Sequence, residues 1–243
     1  MKNILFAAAL AATSMAASAA DSMNLVGTAT MIGSDIQLVS QGGSGGAAWF
    51  VTPVSTTDSF NFDFAFSLQA NGSWPMADGI TFALQNNGTN ALGQFGGNLG
   101  YTGLNAVGSV IQTWYNNTAG LNIDGNAYNT QAAPVDLGSA DLVTGTQNVQ
   151  YDASTNTLSM TGTLNVDGSI YNISDAQTID LSAKFGDTMI MGFTGATGGA
   201  HADERITSSS LNSVAAVPEP ETYALLLAGL GALGFVARRR KSL

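Results

Sequence analysis

Phe60-Asn61-Phe62-Asp63-Phe64-Ala65-Phe66-Ser67-Leu68 alternates large apolar side chains with small or polar ones at every step. Side chains two apart in an extended chain share a face, so this run predicts a strand that sends four aromatics inward. Strand-like runs also occupy 47–54, 80–84, 109–115, 148–151, 157–164 and 188–194, and a polar one closes the series near 206–212. Gly, Asn, Asp and Ser clusters separate them. One such cluster, Asp152-Ala153-Ser154-Thr155-Asn156, reads as a hairpin loop. Helical periodicity is nearly absent between the two ends, and no internal repeat is visible. The expected fold class is therefore all-β: two antiparallel sheets packed as a β-sandwich.

Both ends read as address labels. Lys2, an apolar run over 4–12 and the small residues Ala16-Ala17-Ser18-Ala19-Ala20 describe a signal peptide over 1–20. The apolar run is too short to span a bilayer and stay there. At the other end, Pro218-Glu219-Pro220 precedes an apolar run over 223–237 and the cluster Arg238, Arg239, Arg240 and Lys241. The prolines break regular structure. The run is a candidate anchor helix, and the basic cluster places the body outside the cytoplasm. This expectation divides the chain into 1–20, a body over 21–216 and a tail over 217–243.

The body is strongly acidic. Of seven basic residues in the chain, only Lys184 and Arg205 lie in it, against fifteen of the seventeen acids. Such a surface repels phosphate backbones, which excludes nucleic acid as a partner. It tolerates neutral sugars. The chain has no cysteine, which excludes a disulfide scaffold and thiol chemistry.

The three-part tail resembles the PEP-CTERM sorting signal of Gram-negative bacteria. That resemblance implies processing by an exosortase near Pro218-Glu219-Pro220, membrane contact through the tail, and a final place in the cell envelope or extracellular matrix. Within the body, five segments in order are similar to the legume-type lectin family. They are Ala77-Asp78-Gly79-Ile80-Thr81-Phe82, Gly96-Gly97-Asn98-Leu99-Gly100, Thr113-Trp114-Tyr115-Asn116, Tyr151-Asp152-Ala153-Ser154-Thr155-Asn156-Thr157-Leu158-Ser159 and Gly192-Phe193-Thr194-Gly195-Ala196-Thr197-Gly198. Each is weak alone; their order and spacing over about 47–213 carry the match. It implies a jelly-roll sandwich that binds a glycan or exopolysaccharide. In the family's site an Asp accepts two sugar hydroxyls, a glycine amide and an Asn donate, and an aromatic covers the ring. Ionised acceptors make short, directional bonds, and glycine permits close backbone approach. By resemblance these roles fall on Asp78, Gly97 and Asn116. The variable specificity loop falls on 198–203, with Gly199 within it and His201 as an exposed residue at its tip. No aromatic aligns as the ring cover, and Trp114 and Tyr115 read as strand residues.

The resemblance fails where the family holds calcium and a transition metal. The family's Glu and Asp ligands fall on Val110 and Gln112, and neither Asp nor His lies between Asn116 and Ile123. Asp124 is the nearest carboxylate, and it reads as part of the next strand. A hard cation takes about six oxygen ligands, so no cofactor is expected. In the family the metals help fix a cis peptide before the binding Asp, and such a bond persists only when its surroundings enforce it. Without them, the expectation is a trans Ala77–Asp78 peptide and a misaimed Asp78.

Enzyme readings have less support. A glycosidase needs two facing carboxylates, yet the body has a single glutamate, Glu204, and no strand carries two acids on one face. Gly42-Gly43-Ser44-Gly45-Gly46 fits a nucleophile-elbow pattern, but a strand-like run follows where that motif needs a helix. The rival to sugar binding is a structural surface or biofilm-matrix protein that has lost it.

Overall fold

The computed structural model describes residues 22–72, 75–114 and 116–213. In chain order its strands are β1 (Met23–Gly27), β2 (Thr30–Ile32), β3 (Asp35–Val39), β4 (Gly45–Phe50), β5 (Val54–Ser55), β6 (Phe60–Ala70), β7 (Gly79–Gln85), β8 (Ala106–Gln112) and β9 (Thr118–Asn122). After them come β10 (Leu142–Asp152), β11 (Thr157–Val166), β12 (Ser169–Thr178), the one-turn helix α1 (Leu181–Phe185), β13 (Thr188–Ala196) and β14 (Ala202–Ser213). The first sheet runs β1-β4-β13-β7-β8-β9, with β5 beside β13, and the second runs β12-β11-β10-β6-β14-β3-β2. Neighbouring strands are antiparallel.

The alternating run does what its period requires. β6 sits between β10 and β14, with Phe60, Phe62, Phe64, Phe66 and Leu68 all buried. They meet Ile80, Phe82 and Leu84 of β7 and Phe193 of β13 across the sandwich. Phe62 stacks on Phe82 with ring centroids 4.4 Å apart, and Phe64 meets Phe193 edge-on at 5.3 Å. Offset and edge-to-face pairs of this kind add about 0.5–1.5 kcal/mol each to plain area burial.

A third layer covers the other face of the first sheet, so β7, β8 and β9 are buried throughout. The chain from 86 to 105 folds over that face. Leu99 and Tyr101 from this segment, with Ala127 from the connection after β9, close a second small core on Ala47, Trp49, Ala83 and Val110. Trp49 Nε1 donates to the Ala91 carbonyl at 2.8 Å, and the Tyr101 hydroxyl to Asn122 Oδ1 at 2.8 Å. These bonds satisfy polar groups that burial would otherwise leave costly.

Several boundaries differ from expectation for identifiable reasons. The run over 47–54 is two strands, because Pro53 lacks an amide donor and β4 stops at Phe50. β8 ends at Gln112 and the chain turns. The Asn116 amide donates to the Trp114 carbonyl at 2.8 Å, and Asn117 takes a positive φ of 47°. Trp114 is thus an exposed turn residue rather than a strand residue, and Tyr115 lies outside the described residues. Asp124 is also in a turn, past the end of β9, where it accepts from Asn122 and Asn126. β1, β2, β3, β9 and β12 were not legible, being short, polar or edge strands. The 152–156 loop joins β10 to β11, with the Ser154 amide donating to Asp152 Oδ1 at 2.9 Å. Gly42–Gly46 leads into strand β4, so it makes no nucleophile elbow. The leader at 1–20 and the tail with Pro218, Glu219, Pro220, Arg238, Arg239 and Arg240 lie outside the described residues. Among those described, no helix is long and apolar enough to cross a membrane.

Candidate functional site

Asp78 stands in the turn that opens β7, at one end of the first sheet. The Ala77–Asp78 peptide is cis, which corrects the expectation of a trans bond. Several protein groups hold the turn. The Thr113 amide donates to the Asp78 carbonyl at 2.9 Å, the Met76 amide to the Gly138 carbonyl at 2.9 Å, and the Thr113 hydroxyl to the Met76 carbonyl at 3.0 Å. From the second sheet, Glu204 Oε1 accepts from the Gly79 amide at 2.8 Å. Gly79 has φ 127° and lies against the Ile111 carbonyl, with no room for a side chain.

Asp78 is 3% exposed as a residue, and its Oδ2 has no hydrogen-bond partner. Two glycines make the space around it. A methyl group at Gly198 would stand 3.5 Å from Oδ2, and one at Gly96 3.9 Å. Burial pushes the carboxyl up to about 6, against the opposing pull of the Gly198 amide. Oδ2 therefore keeps acceptor capacity that a ligand hydroxyl can use.

Tyr128 joins the remaining pieces. Its hydroxyl lies over Gly97, in the space a side chain there would fill, and the ring is 38% exposed. Partial burial and the Asp78 charge both raise its hydroxyl above the ordinary tyrosine value. Asn116 Nδ2 reaches the Tyr128 carbonyl at 3.5 Å, a long contact. Gln112 Nε2 donates to the Gly97 carbonyl at 2.5 Å. Asp78, Gly97 and Asn116 therefore each approach one residue, Tyr128, the first two at its side chain and the third at its backbone.

The expected specificity loop is shorter than 198–203, because Ala202 and Asp203 already belong to β14. Gly198 lies beside Asp78, while Gly199 is exposed with open space about its Cα. His201 is half-buried rather than exposed, its Nδ1 facing Gly42 without a hydrogen-bond partner. Gly42 carries no side chain to hold it off.

The two positions that would supply metal carboxylates do not fit a hard cation. Val110 is fully buried in the small core with Trp49, Leu99 and Tyr101. Gln112 is fully buried and spends its amide nitrogen on Gly97, leaving one free oxygen, Oε1. Among the described residues no three His, Cys, Asp or Glu side chains converge.

The family model for the legume lectin domain matches residues 13–225. The chain belongs to the legume lectin family. A second model, the PEP-CTERM protein-sorting motif, matches 216–241, which marks an export-sorted protein of Gram-negative bacteria. Solved structures share the fold. Peanut lectin, crystallised with a nine-residue peptide, is 24% identical, with a TM-score of 0.66 over 82% of this chain and 95% of its own. The Bauhinia forficata lectin in complex with GalNAc is 22% identical, with a TM-score of 0.67 over 82% and 95%. A metal-free form of a Griffonia simplicifolia lectin is 22% identical, with a TM-score of 0.65 over 83% and 97%.

Sequence reasoning missed Tyr128 and Glu204. Tyr128 follows Asp124-Gly125-Asn126-Ala127, a stretch that carries only a turn signal. Glu204 did stand out as the body's one glutamate, but nothing local pointed it at Gly79, 125 residues away.

Proposed function

We propose that this protein is an exported, non-catalytic lectin that binds a neutral glycan at the Asp78 end of its first sheet, without the family's paired metals. The observation that carries this is the distribution of exposed aromatics. Among the described residues, the exposed large aromatics are Phe95, Trp114 and Tyr128, and each lies on a segment that meets the Asp78 turn. Phe95 precedes Gly96, which faces Asp78. Trp114 follows Thr113, whose amide holds the Asp78 carbonyl. Tyr128 lies over Gly97. An exposed aromatic near a buried acceptor, with two more on adjoining segments, suits a sugar, whose hydroxyls want hydrogen bonds and whose C–H face wants a flat apolar surface.

Asp78 accepts sugar hydroxyls, the Gly97 amide and Asn116 donate, Gly199 and His201 border the site on the loop side, and Tyr128 lies on the ring or turns aside to admit it. The Tyr128 hydroxyl makes no hydrogen bond among the described residues, so its movement breaks none. The sorting motif carries the protein to an exosortase, and its apolar run contacts the membrane. The final location in this reading is the envelope or matrix, after removal of 1–20.

A glycan array with the purified protein, in calcium and in chelator, beside Asp78→Ala, tests the proposal. Binding that ignores chelator and disappears in the variant is expected. A second reading, a structural matrix component without sugar binding, is favoured by the near-complete burial of Asp78. Absence of binding to any glycan would establish it over the first.

A further inference from the structure

Glu204 is a carboxyl group where the fold asks for an apolar side chain. It lies on the inner face of β14, opposite Leu68 of β6 and Val39 of β3, and is fully buried. Its counter-ion is missing: the neighbouring Arg205 turns to the outer face and pairs with Asp203 at 2.6 Å. The groups that face Glu204 are the Gly79 amide, the Asp78 amide, Asp78 and Asp203 in charge, and Gly195 on β13. Burying an uncompensated carboxyl is costly, and a hydrophobic residue of similar size would serve the core better. Two local features give Glu204 its place. The pairing of β14 shifts register against β3 between Glu204 and Arg205, and against β6 between Ile206 and Ser208; such irregularities re-aim side chains. Position 195 is glycine, and a methyl group there would come within 2.6 Å of Glu204 Oε2.

We infer that Glu204 is a positioning residue for the candidate site: it reaches across the sandwich and, through the Gly79 amide, holds the turn that aims Asp78. One contact is made by Oε1, at 2.8 Å; Oε2 has no partner and is the oxygen that Gly195 makes room for. Burial, chiefly, raises this carboxyl well above the usual range, and the Asp78 charge adds to the rise. A neutral group with the same acceptor oxygen therefore does the same work. That is why glutamine is the informative replacement and leucine the disruptive one. The inference rests on the sugar-binding reading for its consequence and on geometry alone for the anchoring.

Amide hydrogen exchange of the purified protein, read at Gly79 and at Phe82, separates anchoring from general stability. In Glu204→Leu, exchange at Gly79 should rise about tenfold or more while Phe82 stays within about twofold, because a hydrogen bond to a carboxyl has been removed from one place. Glu204→Gln should exchange like wild type at both positions. Should the leucine variant fail to fold, Gly195→Ala pushes on Oε2 and should raise exchange at Gly79 ahead of Phe82. Equal acceleration at both amides, or none at Gly79, would overturn the inference. Pull-down on galactomannan, a neutral polysaccharide, adds the functional arm: retained by glutamine, weakened by leucine. If wild type binds no galactomannan or other glycan, the sugar reading falls while the exchange result still decides the anchoring.

Discussion

Replacing Asp78 with asparagine should stabilise the protein while abolishing its proposed ligand binding. Asp78 is 3% exposed with Oδ2 unpartnered, and burial lifts its carboxyl from 3.8 to about 6. The unfolded chain ionises this group from about 3.8, the folded chain only from about 6. Stability from the protonated group is thus fully present at low pH and is lost as pH rises through about 6. Fully converted, the difference amounts to about 3 kcal/mol at neutral pH; solvent screening of a carboxyl near the surface discounts it to about 2 kcal/mol. Asparagine keeps the shape and removes the charge, and with it the repulsion on Glu204. The expected gain of about 2 kcal/mol corresponds to about 4–8 °C in Tm for a domain of this size. Thermal and urea unfolding of wild type and Asp78→Asn, at about pH 7 and about pH 4, measure it. The gap should be clear at the higher pH and close at the lower, where wild-type Asp78 is itself protonated. A variant no more stable than wild type near neutrality, or a gap indifferent to pH, would refute the reasoning.

Glycan binding should weaken as pH falls through about 6, because protonation removes the Asp78 acceptor; a flat calorimetric titration across that range would contradict this. Tyr128→Ala should weaken binding about tenfold with a stability change within about 1 kcal/mol, since the ring is partly exposed and its hydroxyl makes no hydrogen bond among the described residues, and Tyr128→Phe should bind nearly as wild type. Val110→Glu should cost on the order of 3 kcal/mol or more, because it puts an unpaired carboxylate among Trp49, Leu99 and Tyr101. Urea unfolding with and without calcium checks it, and rescue by calcium would mean that the apolar filling of that position has been misjudged. Phe62→Ala should cost about 3–5 kcal/mol, as it empties the stack against Phe82; a loss under 1 kcal/mol in the same assay would count against the described core.

What was legible in the sequence followed from local physics. A period of two fixes which side of a strand is buried, so Phe60–Leu68 announced both a strand and the core it faces. Turn chemistry marked the 152–156 hairpin, and five short motifs in order gave the family and three candidate site residues, Asp78, Gly97 and Asn116. The polar edge strand β12 stayed hidden because Ile170, Tyr171 and Ile173 give no clean alternation. What only the tertiary structure decided involves residues far apart in the chain. Tyr128 comes to Gly97 because the connection after β9 folds back over the first sheet. Glu204 comes to Gly79 because β14, in the opposite sheet, approaches the start of β7 closely enough for a glutamate side chain to reach it. Periodicity along the chain determines which face is buried, but not which distant backbone amide a buried carboxyl will meet.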